Sequence, residues 1–348
     1  VKNSAASHIN HPGATGWSEG LGPFTPVVRD GKLYGRGCSD DGYSVYAALT
    51  AIRALEDAGI PHPRAVGLIE TREESGSNDL EHYLKKNAER FGSPRLVCVL
   101  DSGAGNYEQL WLTSSLRGAC AIDLNVRVLR QGMHSGTASG VVPSSFDVLR
   151  ILLDRIQDPR TGAILDPAFN VEIPANRMDD LKKTAEVLGD GFISEFPWAE
   201  GPNGAVQSRC RGTVEALIAR CWKPTLSITG AAGLPPLSMA GNSLRSETTL
   251  RLSFRLPPTA KTENILPALQ KKLLTDPPFN AVVSIAGGDA LPGWNAPAEA
   301  DWFRSACDES SKALWGKPAM RIGEGGSIPI LNLFEAQFPR AQFAVTGV

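Results

Sequence analysis

Glu70-Thr71-Arg72-Glu73-Glu74-Ser75-Gly76 sets two adjacent carboxylates directly after the apolar run from Ala65 to Ile69. Adjacent acids repel, and such a pair is tolerable if one binds a cation while the other handles protons. If the run is a buried strand, Glu73 and Glu74 leave its carboxyl end, the edge where open α/β sheets place their chemistry. On its own such a pair is more often solvated charge ahead of a helix N-terminus. Other clusters share that ambiguity. Leu33-Tyr34-Gly35-Arg36-Gly37-Cys38-Ser39-Asp40-Asp41-Gly42 is a glycine-rich turn feeding a helix, and an acid there could be a cap. Val99-Leu100-Asp101-Ser102-Gly103 ends an apolar run in a carboxylate or a simple turn. Gly132-Met133-His134-Ser135-Gly136 holds a histidine between glycines, and Gly323-Glu324-Gly325-Gly326-Ser327 could approach a ligand with its backbone amides.

These clusters require elements that bring them together. Val45, Ala48, Leu49, Ile52 and Leu55 recur at helical spacing up to Gly59 and Pro61. A strand from Ala65 to Glu70, a helix over about 78–90 and a strand from Leu96 to Asp101 follow. This alternation predicts a largely parallel sheet with flanking helices. Asp40, Glu73-Glu74 and Asp101 then leave successive units at one sheet edge and can share a cleft, which costs heavily in repulsion unless cations neutralise it. Carboxylates with histidine suit zinc or another borderline divalent ion, and two ions sharing one acid would use this many ligands.

The pattern changes after Leu116. Ile122, Leu124, Val126 and Val128 alternate with polar residues, as do Leu250, Leu252, Phe254 and Leu256, the mark of strands with one wet face. Amphipathic helices are predicted at Phe146 to Ile156 and Ile265 to Leu274, so this region reads as a separate α+β domain. A helix at Trp302 to Leu314 and a strand at Gln342 to Val345 return to the first pattern. The expected organisation is a first domain over 1–116, an insertion over 117–295 and the remainder of the first domain over 296–348. The stretch from Asp166 to Pro235, rich in proline and glycine, has no legible order.

Bulk properties narrow the function classes. The 348 residues suggest about two domains. A net charge of −2, with 35 basic and 37 acidic residues well mixed, offers no basic field for nucleic acid. Six scattered cysteines without a C-x-x-C pair read as reduced thiols, and no apolar run is long enough to span a bilayer, so the expected location is cytoplasmic. The chain opens at Val1 rather than Met and stops after Phe343-Ala344-Val345-Thr346-Gly347-Val348, like a strand cut before its loop. The expectation is a fragment.

In order, L-Y-G-R-G-C-S-D-D, E-T-R-E-E-S-G-S, V-L-D-S-G, H-S-G, S-F-R-L-P-P and G-E-G-G-S-I-P resemble the dinuclear zinc peptidase family of carnosinase, cytosolic non-specific dipeptidase, aminoacylase, glutamate carboxypeptidase and succinyl-diaminopimelate desuccinylase. The long G-R-G and E-E-S-G-S blocks and the Gly16 to Pro26 run favour the dipeptidase branch. The resemblance implies an α/β catalytic domain carrying an inserted ferredoxin-like α+β lid that also dimerises. It makes Asp40 the carboxylate bridging two divalent ions, zinc in the family, with manganese or cobalt accepting the same ligands. Asp101 and Glu74 would each hold one ion and His8 would be a further ligand. Glu73 would be the general base that takes a proton from the attacking water. His134 would stabilise the oxyanion in a partner's site across a homodimer. Asn242, Arg255 and Ser327 would bind a small peptide, the arginine fork suiting its free C-terminal carboxylate.

Departures from the family pattern qualify the metal site. The opening histidine-acid motif is here His8-Ile9-Asn10, and an amide orients a ligand histidine less firmly than a carboxylate. The family's last ligand histidine should follow shortly after Val348. The expectation is therefore an active dipeptidase in the parent gene product and weak metal binding by this chain. Two alternatives stay open: an N-acyl amino acid amidohydrolase of the same family, and a non-catalytic dimerising scaffold.

Overall fold

The computed structural model describes residues 16–73 and 77–348. His8 and Glu74 lie outside them. The chain divides into two compact units, Val1–Tyr107 with Arg340–Val348, and Glu108–Pro339.

In the first unit the periodic run becomes the helix Ser44–Asp57, which stops before Gly59 in the left-handed region at φ 65°. The helices Leu80–Lys86 and Ala88–Phe91 replace the single one expected over 78–90, and Leu80 and Leu84 are buried. The strand Leu96–Ser102 pairs in parallel with Gln342–Gly347, with Phe343 opposite Val97 and Val345 opposite Val99. The expected strand at Ala65 to Glu70 is a correction. Among the described residues nothing pairs with it, and Val66, Leu68 and Ile69 are exposed. Strand propensity yields a strand only where a neighbour takes up the ladder hydrogen bonds.

The second unit is built around a four-stranded antiparallel sheet in the order Val282–Leu291, Gly118–Arg127, Glu247–Leu256 and Thr225–Ala232. Leu250 lies opposite Leu124 and Leu252 opposite Ile122. These side chains pack with Val148, Leu149 and Leu152 of the helix Ser145–Asp154, and with Ile265, Leu269 and Leu273 of the helix Ile265–Leu274. Each fully buried aliphatic side chain contributes about 1.5–3 kcal/mol, so this face holds the lobe together. On the other face Arg251 chelates Asp123 at 2.7 and 2.8 Å and Arg127 donates to Glu247 at 2.9 Å. Exposed pairs of this kind add roughly 0–1 kcal/mol. Their main effect is to favour one register.

A second sheet of this unit joins Trp294–Asn295, Trp111–Leu116 and Met320–Glu324, the last two in parallel. All of Trp111–Leu116 is buried. The helices Ala175–Leu188 and Thr213–Cys221 supply the order that was illegible between Asp166 and Pro235. Thr184 Oγ1 donates to Arg321 O at 2.8 Å and Cys221 Sγ to Gly323 O at 3.0 Å, which seats both helices on the strand Met320–Glu324. The chain enters and leaves the four-stranded lobe side by side. A Cβ on Gly293 would lie 2.7 Å from Leu116 O and 2.9 Å from Gly118 N, so the two crossings touch backbone to backbone. Together the parallel strand pairs, flanking helices and antiparallel lobe make the fold mixed α/β. No helix among the described residues is long and apolar enough to cross a membrane.

Candidate active site

In the first unit Asp101 lies near the carboxyl end of the strand Leu96–Ser102, and its charge and that of Asp41 both reach Tyr43. The turn before the helix Ser44–Asp57 is closed by Gly42 N donating to Gly37 O at 2.8 Å. A Cβ at Gly42 would sit 2.7 Å from that same oxygen, so the turn requires glycine there. Ser44 N donates to Asp41 O at 2.9 Å as the helix begins. Asp40, exposed at the tip, is joined to Asp41 by a cis peptide.

Tyr43 ties this turn to the strand end, its hydroxyl donating to Leu100 O at 2.9 Å, one residue before Asp101. Burial, then the charges of Asp41 and Asp101, push the Tyr43 phenol up to about 12. The field at that hydroxyl therefore carries the charges of Asp41 and Asp101. Asp101 is half-buried.

Glu73 is half-buried at the last described position before residue 77. Arg72 N donates to Glu70 Oε1 at 2.7 Å, and Glu70 Oε2 is buried without a partner among the described residues. Ser77 N donates to Arg72 O at 3.0 Å. Among the described residues no three of His, Cys, Asp and Glu form a group able to hold an ion. Of the expected ligands only Asp40 and Asp101 are described. The donors described, the carboxylate oxygens of Asp40 and Asp101, are of the chemical type that divalent cations take.

The second unit brings the remaining residues together in two places. Ser243-Leu244 pairs with Met133-His134, and Ser135 N donates to Asn242 O at 2.9 Å, so His134 and Asn242 are neighbours. Gly136 N donates to His134 Nδ1 at 3.1 Å. A neutral imidazole that accepts at Nδ1 carries its proton on Nε2, leaving an outward donor.

At the other place Arg255 Nη1 donates to Ser327 Oγ at 3.2 Å, and that hydroxyl donates to Arg117 O at 2.5 Å. Burial lowers the Arg255 guanidinium, and among the described residues no carboxylate pairs with it. Arg220 binds Glu324 Oε2, while Glu324 Oε1 is buried and without a partner among the described residues. Burial alone would lower Arg220, but Glu324 beside it holds its charge up.

Tyr43, Arg117 and Arg220 were not singled out by sequence reasoning. Arg117 had no clear signal, because the segment before it, Trp111 to Leu116, is half threonine and serine. Arg220 had none, because a basic residue in the last turn of a helix is ordinary dipole compensation.

Residues 9–328 match the peptidase family M20/M25/M40. The Cys-Gly metallodipeptidase dug1 of Schizosaccharomyces pombe is 27% identical over 331 residues, covering 92% of this chain and 67% of that protein. The Beta-Ala-His dipeptidase of Mus musculus is 26% identical over 324 residues, covering 90% of this chain and 63% of its own. Among solved structures, that of the di-peptidase Dug1p from Saccharomyces cerevisiae superposes with a TM-score of 0.72 at 23% identity, over 94% of this chain and 68% of that one. The chain thus spans about two thirds of the length of these relatives. With the acid-bearing strand end, the arginine-lined glycine loop and the match over residues 9–328, this chain belongs to peptidase family M20/M25/M40.

Proposed function

We propose that the protein hydrolyses the peptide bond of dipeptides or short peptides that carry a free C-terminal carboxylate. The observation that carries this reading is Arg255, a half-buried guanidinium fixed by Ser327 and left without a counter-charge among the described residues. Such a fork calls for a planar anion, and a peptide carboxylate matches it. The unpaired Oε1 of Glu324 is an acceptor for a substrate's free amine. An N-acyl amino acid has no such ammonium, so this oxygen favours the dipeptide reading over the acylase one.

Asp40, Asp101, Glu74 and His8 would hold two divalent cations, zinc by the family expectation. When bound, such ions supply the Lewis acidity that makes water nucleophilic near neutral pH. Glu73 takes the proton of the attacking water and returns it to the leaving amine. His134 donates Nε2–H to the developing oxyanion of the partner's site, with the lid forming the homodimer. Asn242 and Ser327 orient the peptide beside Arg255. A cytoplasmic location is part of the same reading, supported by six free thiols.

The test measures metal content, and turnover of dipeptides and N-acetyl amino acids, on the 348-residue chain and on one extended to the length of its relatives. Expected are about two ions per extended chain, fewer here, and dipeptides preferred. Glu73→Gln should lower kcat by about 10²–10⁴ with little change in KM. Preference for acetylated substrates would move the reading to an amidohydrolase, and metal-free, inactive protein in both forms to a scaffold.

A further inference from the structure

Arg117 stands between two strands of the second unit, and its polar atoms meet the glycine loop twice. Its main-chain carbonyl accepts the Ser327 hydroxyl at 2.5 Å. Its guanidinium Nε donates to Gly325 O at 3.1 Å, while Nη1 reaches Lys223 O at 3.4 Å and Thr225 Oγ1 at 3.3 Å. A Cβ on Gly325 would lie 3.1 Å from Arg117 Nη2, so the guanidinium lies directly against the loop backbone.

We propose that Arg117 is the positioning residue of the substrate-carboxylate site, holding Ser327 and Gly325 at once and thereby fixing the fork of Arg255. The inference rests on the dipeptidase reading above. The relay is continuous: Arg255 Nη1 donates to Ser327 Oγ, which donates to Arg117 O, while the Arg117 side chain clamps the loop two residues earlier. Ser327 has one proton to give, and giving it to Arg117 turns its lone pairs toward Arg255. The guanidinium nitrogens of Arg117 are engaged by carbonyl and hydroxyl oxygens rather than by a carboxylate. Burial, with the nearby charges of Arg255 and Arg220 adding to it, lowers this guanidinium to about 10. A cation kept in such a place at neutral pH is one whose geometry is used. A misplacement of roughly 1 Å in a positioning group can cost on the order of 10²-fold in rate.

The experiment compares kcat/KM for a dipeptide with that for the same dipeptide amidated at its C-terminus. Wild-type protein should prefer the free carboxylate by about 10²-fold or more, and Arg255→Met should abolish the preference. Arg117→Met should reduce it at least about tenfold, chiefly through the KM of the free-acid dipeptide. Arg117→Lys should restore part of it, and adding Ser327→Ala to Arg117→Met should cost less than the two separate losses combined. Where Arg117→Met does not fold, Thr225→Val removes one acceptor of the guanidinium and should lower the preference about threefold. Folded Arg117 variants that keep the wild-type preference, with Arg255→Met losing it, overturn this inference alone. A wild type that does not distinguish acid from amide overturns it together with the dipeptidase reading.

Discussion

Tyr43 shows how much of the acidic edge can be read from one hydroxyl. Its donation to Leu100 O and its depressed acidity both trace to the strand end that carries Asp101. Because the folded chain holds the phenol up at about 12 against 10.0 for the free group, the unfolded chain loses this proton first. Stability from Tyr43 is therefore complete below about pH 10 and falls as pH climbs toward 12. In urea titrations, Tyr43→Phe should flatten part of the stability loss between about pH 10 and 12, and an unchanged slope would count against the assigned burial. Asp101 drew attention in the sequence because an acid at the end of an apolar run is costly without a purpose. Tyr43 did not, since an aromatic residue at a helix start carries no signal of what its hydroxyl reaches.

At the scale of elements, periodicity placed the helices Ser44–Asp57, Ser145–Asp154, Ile265–Leu274 and Asp301–Trp315 to within a few residues. Ile265 to Leu274 was placed with its limits, and the alternation of Leu250 to Leu256 correctly separated the packed face from the wet one. What failed was the segment from Ala65 to Glu70, where a strand pattern has no described neighbour to pair with. The Asp166 to Pro235 stretch was illegible because its helices are ordered by distant partners, through Thr184 and Cys221 on the strand Met320–Glu324. That dependence makes Gly323 the sensitive point of the strand. An added Cβ would stand 2.8 Å from Ser115 Oγ and 2.9 Å from Cys221 Cβ. Gly323→Ala should cost about 1–3 kcal/mol by overpacking, read as a lower urea midpoint at constant m. An undisturbed midpoint would mean the helix–strand contact is looser than these distances indicate.

For the whole molecule, the decisive question is whether a site is completed by a second copy. His134 is exposed and its Nδ1 is engaged by Gly136 N, which leaves Nε2 as the ring nitrogen that could serve a second copy. Mixing inactive Glu73→Gln with inactive His134→Ala protein should then restore activity. A mixed dimer contains one site with an intact Glu73 in its own chain and an intact His134 from the other, so random exchange recovers roughly a quarter of the wild-type rate. No recovery after confirmed exchange would place His134 in the service of its own chain. The motif order made the family visible over nearly the whole sequence, yet no single-chain pattern can say which copy a histidine serves.

The contact between Gly118 and Gly293 bears on how such a chain could have been assembled and could be rebuilt. Where entry and exit strands meet with no side chain between them, the roughly 170 residues in between are spliced into a host at a single point, which is how insertions are best tolerated. The two compact units themselves divide at Tyr107/Glu108 and Pro339/Arg340, outside the limits of 117 and 295 expected from the sequence pattern. The backbone contact also means that the lobe can lengthen, exchange its surface or be grafted from a relative, and so diversify what is bound, while the strand ends that carry the acids inherit no change in their own connections.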